Sequence, residues 1–554
     1  MRSLIRSALL TSPLLLALAM IGSGCDPAGS GAPPPKTAAA TSASSGAATK
    51  LADVPGLRGE TVPLPPADKR VEVPGFDGAT KWLNVDRPLS LEDLKGRVVV
   101  VDFWTSCCIN CLQTLPTLKK LEEAFRGAPV VVVGVHSPKF DEEGDAERLV
   151  DVVLDNRIEH PVAADGQMKV WQAWGVEAWP TVAVLDTNGK ALWAGSGEPE
   201  YGELSAVVRS ALREGEANGA LASGEFARLK PEKDTAGALR FPSKVTALAD
   251  GGLAIADTGH HRVVITDKDG KVTDVIGSGA QGKKDGAFAE AMFSRPAGMT
   301  ESLGDLYVAD TWNHAIRKID RRDKTVTTVA GTGELGGMLR DNRVRKGTDV
   351  ALRSPWDVLA IGDRIFVALA GSHQIGLLSS KTGEFRLFAG TGQEARRDGE
   401  LLDAAFAQPS GLAIDKDLKE LFVLDSETSS VRAIDLQKGA VRTVVGKDLF
   451  VFGDVDGDKD TARLQHPLGI AWSDGALYVA DSYNSKIKRV DPVSGATRSL
   501  LGGRDDKVVD EPAGLAVVGS DLVIADTFHH RLLRVPNKGA GAPLPMTLTN
   551  VPER

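Results

Sequence analysis

A chain of 554 residues with 42% hydrophobic and 25% charged residues is too long for one ordinary domain and too apolar for wholesale disorder. Its formal net charge of −9 argues against sequence-independent nucleic-acid binding, which rests on neutralising phosphates. The cysteines are only Cys25, Cys107, Cys108 and Cys111, which excludes a disulfide-stapled scaffold, and the 59 glycines point to turn-rich β structure.

Residues 1–25 read as an export signal, with Arg2 and Arg6 ahead of an apolar stretch over 8–21. Two cleavage readings compete. Ala17-Leu18-Ala19 is an A-x-A site for ordinary release. Gly22-Ser23-Gly24-Cys25 resembles a bacterial lipoprotein box, with Gly22 where that box usually has Leu. The isolated Cys25, followed directly by a spacer, favours lipidation there. That implies a lipid anchor to the membrane on the periplasmic side of a bacterial cell envelope. Residues 26–50 are nearly all Ala, Pro, Gly, Ser and Thr, a composition that buries no core and reads as a flexible tether.

Over 51–214, strand and helix signals alternate, which predicts a mixed α/β domain. The β-branched run 98–101 leads into Asp102-Phe103-Trp104-Thr105-Ser106-Cys107-Cys108-Ile109-Asn110-Cys111, and 112–125 has helical apolar spacing. Cys108 and Cys111 thus form a CxxC pair at a strand-to-helix junction. The N–H groups and partial positive charge of a helix N-terminus stabilise a thiolate. Spacing i, i+3 puts the second sulfur within reach to attack a mixed disulfide on the first. Cys108 is therefore the candidate attacking thiol and Cys111 the resolving one. Trp179-Pro180-Thr181 precedes a third strand, and Asp186-Thr187-Asn188-Gly189 is a hairpin turn.

These residues resemble the thioredoxin superfamily in its redoxin branch. The resemblance implies that Asp102, six residues before Cys108, is a buried acid that helps deprotonate the resolving thiol. It makes Pro116 a helix-kinking proline and Pro180 the cis proline that faces the disulfide and helps hold the substrate chain. Two departures stand out. Cys107 takes the usual tryptophan place, and Ile109-Asn110 replaces Gly-Pro between the thiols, so the redox potential does not carry over. Competing readings are half a zinc site and a redox domain that has lost its chemistry. His136, at a strand end, is read as a surface or capping residue that could instead face the site.

Residues 215–225 read as a linker, and the remainder, 226–551, repeats itself. A proline followed by a short apolar strand recurs at Pro242, Pro296, Pro355, Pro409, Pro467 and Pro512. Then comes a strand ending in an acid, at Asp257, Asp310, Asp425, Asp481 and Asp526; the third unit departs, with Leu369. A turn, often carrying His, leads to a third strand, and most units add a fourth. Short strands at this regular spacing predict a six-bladed, all-β propeller. The Asn-His and Asp-Thr phrases resemble NHL repeats. The outer strand of the last blade comes from 545–548 or from 226–229. Asp454-Val455-Asp456-Gly457-Asp458 imitates a calcium loop. The pair Asp456-Gly457 nevertheless recurs as Asp285-Gly286 and Asp398-Gly399, each 11 residues before its proline, so it reads as an interblade turn. The recurrent histidines fit a structural turn better than a metal, and the recurrent acids fit caps of the following turn.

The domain order and the Cys-Cys-Ile-Asn-Cys string resemble the NHL-repeat proteins that carry a redoxin domain ahead of the propeller. The expected activity is extracytoplasmic thiol–disulfide exchange by Cys108 and Cys111, without cofactor or metal. Asp102 assists proton transfer and Pro180 shapes the groove. The partners are a protein thiol or disulfide, a redox partner and a protein at the propeller rim, and no nucleic acid. The alternative is a propeller binding scaffold with a vestigial or regulatory redox domain.

Overall fold

A computed structural model describes residues 54–551 apart from 224–225, 227–228, 233–236 and 507. The expected export signal, Cys25 and the tether lie outside the described residues. Among those described, no helix is long and apolar enough to cross a membrane.

The first domain is a seven-stranded sheet of β1 (Val71–Glu72), β2 (Lys81–Leu83), β3 (Val98–Trp104), β4 (Val130–His136), β5 (Val162–Ala164), β6 (Thr181–Leu185) and β7 (Lys190–Ser196), in the order β1-β7-β6-β3-β4-β5-β2. β3 pairs in parallel with β4 and antiparallel with β6. Every residue of β3 is buried, as suits a valine-rich strand covered on both faces. Val98 and Val100 pack against Leu118 and Leu121 of α1 (Ile109–Ala124) and against Leu204 and Val208 of α4 (Tyr201–Ala217). Val99, Val101 and Phe103 pack on the opposite face against Val170 and Trp171 of α3 (Lys169–Trp174). The remaining helix, α2 (Arg148–Asp155), covers the β5 side through Leu149, Val152 and Val153.

The second domain is a six-bladed propeller; each blade is built on a four-stranded antiparallel meander, and in the second, third and fourth blades a short strand from the preceding connection adds to the outer edge. The fourth blade is representative, with strands Pro409–Ile414, Glu420–Asp425, Ser430–Asp435 and Ala440–Val445. The repeated acid ends the second strand and works in two directions. Its Oδ1 accepts the backbone N–H two residues before the repeated proline: Arg240 and Ser294, 2.7 Å from Asp257 and Asp310, and Gln465 and Asp510, 2.7 Å from Asp481 and Asp526. Its Oδ2 takes a buried cation from the third strand, as in Asp310–Arg317 at 2.7 Å and Asp425–Arg432 at 2.9 Å, with both partners fully buried. In the second and fifth blades Oδ2 also accepts from the turn, through Asn313 and Asn484. The acid therefore does not cap the backbone of its turn as expected; it binds side chains of the turn and third strand and ties down the start of its own blade. The third blade loses both halves of the pair together. Leu369 replaces the acid, Gly376 stands where the second, fourth and fifth blades have the cation, and Phe385 fills the space beside Gly376. The Asp-Gly pairs are not the expected turns but edge additions to the blade: Gly286, Gly399 and Gly457 bridge to Val326, Val441 and Thr497 of the fourth strand, and Asp285, Asp398 and Asp456 each bind a backbone N–H of that strand, at Thr328, Thr443 and Ser499.

The ring closes without strand exchange. Leu544–Pro545 pairs with Arg531–Val535 in the last blade, and Val272 of the first blade donates to the Thr549 carbonyl. Leu229, by contrast, bridges to Val85 of the first domain, so the C-terminal segment supplies the outer strand. Ser or Thr after the acid ties each joint it serves by donating to the proline carbonyl of the next blade. The bonds run from Thr258 to Pro296, Ser426 to Pro467 and Ser482 to Pro512, and Thr527 to Pro242 across the closure. Because removing one partner strands a buried charge, Asp425→Leu alone costs about 3–5 kcal/mol, whereas Asp425→Leu with Arg432→Leu costs less, as the third blade already shows is tolerated. Urea midpoints of the two variants check this; equal losses would contradict it.

Candidate active site

β3 ends at Trp104 and the chain turns directly into α1, whose N-cap residue is Cys108. Cys108 is partly exposed, while Cys107 and Cys111 are buried, and all three are free thiols. Burial and then a hydrogen bond with Cys108 push the Cys111 thiol far up, and Asp102 adds to this. Asp102 lies on the α1 side of the sheet, fully buried, and burial raises it from 3.8 to about 7, with His160 opposing. Neither of its oxygens has a hydrogen-bond partner among the described residues. Pro180 follows a cis bond from Trp179. Trp179 donates to the Ser137 carbonyl at 3.0 Å, stacks 4.3 Å from Trp171 and packs in the apolar layer that holds Cys108 and Cys111. The structure therefore brings Asp102, Cys108, Cys111 and Trp179 into one layer.

The wall facing that layer is the propeller. The residue before each repeated proline (Phe241, Arg295, Ser354, Gln408, His466 and Glu511) has a positive φ, between 44° and 61°. Proline excludes its predecessor from the right-handed helical region, and a left-handed backbone costs a non-glycine residue roughly 1–2 kcal/mol. The repeated histidines compensate. The backbone N–H of Phe241, Arg295, Ser354 and Gln408 donates to Nδ1 of His530, His261, His314 and His373 of the preceding blade, at 3.0–3.2 Å, and that of His466 to Ser429 Oγ. All six residues of this collar meet the first domain. Phe241 enters the layer of Cys111 and Leu112. Arg295 forms a two-pronged pair with Asp155, at 2.6 and 2.8 Å. Ser354 accepts from Gln113 at 2.6 Å, and Glu511 pairs with Arg148. The His466 ring lies 5.4 Å from that of Phe140.

Gln408 reaches the thiol loop itself. Its Oε1 accepts the Ile109 N–H at 2.9 Å, and its Nε2 donates to the Cys107 carbonyl at 2.9 Å and lies 3.1 Å from His466 Nε2. The first N–H of α1, expected to face the Cys108 thiolate, is thus committed to a propeller side chain. Nothing in the sequence marks Gln408, because its partners are about 300 positions away.

Cys107 is buried against Phe140 and Tyr483. Its backbone N–H donates to Glu143, which also accepts from Ser106 Oγ and the N–H groups of Lys139 and Phe140, at 2.6–3.0 Å. Burial would raise Glu143, but His136 and these bonds outweigh it and hold it at about 2. His136 is neither at the surface nor a cap. It is buried 4.7 Å from the Trp104 ring, and burial lowers it to about 4. Among the described residues, no three His, Cys, Asp or Glu side chains converge as metal ligands.

This is a redoxin-type thiol layer in a thioredoxin-like domain, roofed by a six-bladed NHL propeller. A thioredoxin-like family profile matches residues 96–191, and an NHL-repeat profile matches residues 239–265. NHL repeat-containing protein 2 of Homo sapiens is 38% identical over 511 residues, covering 84% of this chain and 70% of its own length. Protein SUPPRESSOR OF QUENCHING 1, chloroplastic, of Arabidopsis thaliana is 42% identical over 496 residues, covering 84% of this chain and 47% of its own, so the chain spans about half of that relative. Thiol-disulfide oxidoreductase ResA of Geobacillus thermodenitrificans is 31% identical over 102 residues, 18% of this chain and 55% of its own. The chain belongs to the NHL repeat-containing protein 2 family.

Two predictions follow from this geometry. Asp102 holds its proton in the folded state up to about pH 7 but loses it near 3.8 when unfolded. Its contribution is therefore intact below the lower value and declines across that window, by about 1.4 kcal/mol per pH unit. Relative to Asp102→Asn, the native chain loses stability between about pH 4 and pH 7; a constant difference in urea midpoint would refute this. Gln408→Ala leaves the Ile109 N–H and the Cys107 carbonyl unpaired, at about 1–3 kcal/mol each. Deuterium exchange at residues 107–112 should accelerate accordingly.

Proposed function

We propose that the chain is a thiol–disulfide oxidoreductase acting through Cys108 and Cys111. The observation that carries this reading is the pair of free, hydrogen-bonded thiols at the start of α1, over a buried acid and in the layer of Trp179, which a cis bond joins to Pro180. Cys108 Sγ, as thiolate, attacks one sulfur of a partner disulfide, and the other leaves as a thiolate that takes its proton from water. Cys111 gives its proton to Asp102 and attacks Cys108 Sγ. The Cys108–Cys111 disulfide forms, the second partner sulfur leaves as a thiolate, and two electrons have passed to the partner. A dithiol donor resets the pair; run backwards, the same steps oxidise a partner. Pro180 and Trp179 shape the groove.

The propeller is a binding platform in this reading. One rim holds the thioredoxin-like domain. A protein partner is assigned to the opposite rim, where Leu303, Leu418 and Val493 stand exposed at hairpin tips. The chemistry is placed outside the cytoplasm of a bacterial cell, with a lipid anchor at Cys25. The relatives' names supply no substrate.

Equilibration of the chain in graded thiol buffers, followed by thiol trapping and peptide mapping, tests the reading. A reversible Cys108–Cys111 couple below about −200 mV marks a reductant and one near −120 mV an oxidant. Cys108→Ser abolishes exchange, and Asp102→Asn slows resolution about a hundredfold. Failure of that disulfide to form would leave the propeller scaffold as the working function.

A further inference from the structure

The resolving step leaves a proton on a carboxyl group that has no contact with solvent. The surroundings of Asp102 show where it goes. Asp102 pairs with Gly134 across the β3–β4 ladder. Directly paired residues project from the same face of a sheet, so a side chain at position 134 would stand beside the Asp102 carboxyl. That space belongs to His160: a Cβ on Gly134 would lie 3.5 Å from His160 Nε2, and 3.0 Å from Trp104 Nε1.

The His160 ring is held at both ends. Asn84 Nδ2 donates to the carbonyls of Ile158 and His160, at 2.7 and 2.9 Å, and fixes the backbone. On the ring itself, Nδ1 lies 3.5 Å from Glu122 Oε2 of α1. His160 is buried and its Nε2 has no hydrogen-bond partner among the described residues, as is true of both Asp102 oxygens. Glu122 is one-third exposed, at 34%, and together with His160 it lines a surface cavity of about 350 Å³. Three facing groups thus run from the buried acid to water.

We propose that His160 and Glu122 relay the resolving proton between Asp102 and solvent. This rests on the thiol-exchange reading above. The Cys111 thiol loses its proton to Asp102, and Cys111 Sγ bonds to Cys108 Sγ as the partner thiolate leaves. Asp102 passes the proton to His160 Nε2, and His160 releases one from Nδ1 to Glu122, which exchanges it with water. No electron moves along this path. An imidazole that accepts at one nitrogen and donates from the other suits the role. His160 acts through Asp102 and is a positioning residue. The ionisable groups around the path are Cys111, Lys119, Glu122 and Glu123 on α1, Arg126 just past its end, Asp102 on β3, and Glu159 beside His160.

The experiment is stopped-flow reaction of the reduced full chain with dithiobis-nitrobenzoate, which releases one coloured thiolate when Cys108 attacks and a second when Cys111 resolves. His160→Ala should leave the first phase unchanged and slow the second about tenfold at pH 7. Added imidazole, which fits the space the side chain vacates, should restore it. Glu122→Gln, at a one-third-exposed position that does not endanger folding, should slow the second phase about threefold. A second phase at the native rate in both variants overturns the relay. A slowed His160→Ala phase that ignores imidazole also overturns it, because the histidine is then structural. Absence of a second phase in the unsubstituted chain is a different failure: it removes the thiol-exchange reading and the relay with it.

Discussion

Each propeller blade starts at a proline, and the residue before that proline has to be held left-handed by something other than its own preference. At Phe241, Arg295, Ser354, Gln408 and His466 the hold comes from the neighbouring blade, which offers an imidazole nitrogen or a hydroxyl to the strained residue's N–H. This single constraint does several jobs. It joins consecutive blades and repeats at the seam between last and first. It also aims six side chains out of the ring in one direction, and the thioredoxin-like domain rests on those side chains. The thiol layer is therefore assembled from two folds whose separation is set by backbone geometry.

The consequence for the thiols is a division of labour. The propeller supplies the neutral amide of Gln408 to the loop and takes the first helix N–H out of play. Activation of Cys108 then depends on what the thioredoxin-like domain itself contributes. Beneath the pair lies Asp102, a carboxyl that burial brings into the neutral range. A site closed over by a second domain cannot rely on bulk water to accept protons at its mouth, which gives groups on the back of the sheet a purpose beyond packing.

The two folds were legible because each has a local signature: a β-branched run ahead of CxxC for one, and a proline-to-acid period for the other. The shared placement of Asp102, Cys108 and Cys111 was legible for the same reason, being fixed by short spacings along one chain segment, whereas Pro180 was reached only through the resemblance. The collar was not. Phe241, Arg295, Ser354, Gln408, His466 and Glu511 share a conformation and nothing else, so no residue type repeats at that position. The histidines did repeat and were read as turn residues, but their partners sit one blade away, where no spacing rule reaches. His136 differs from its expected place because the strand end is covered within its own domain, by the Trp104 ring and beside Glu143.

The collar separates conformation from chemistry. Its backbone is pinned by the blade before it, so a substitution there leaves the ring's hydrogen bonding untouched while changing what is presented to the thiol loop. Six such positions face the thioredoxin-like domain, each borne on a different blade, and two of them, Phe241 and Gln408, reach the layer or loop of the Cys108–Cys111 pair. A lineage of such proteins has a means of drifting in reactivity without drifting in architecture. Diversity within the family should therefore concentrate in the residue that precedes each proline, with the proline itself and the imidazole behind it kept as scaffolding.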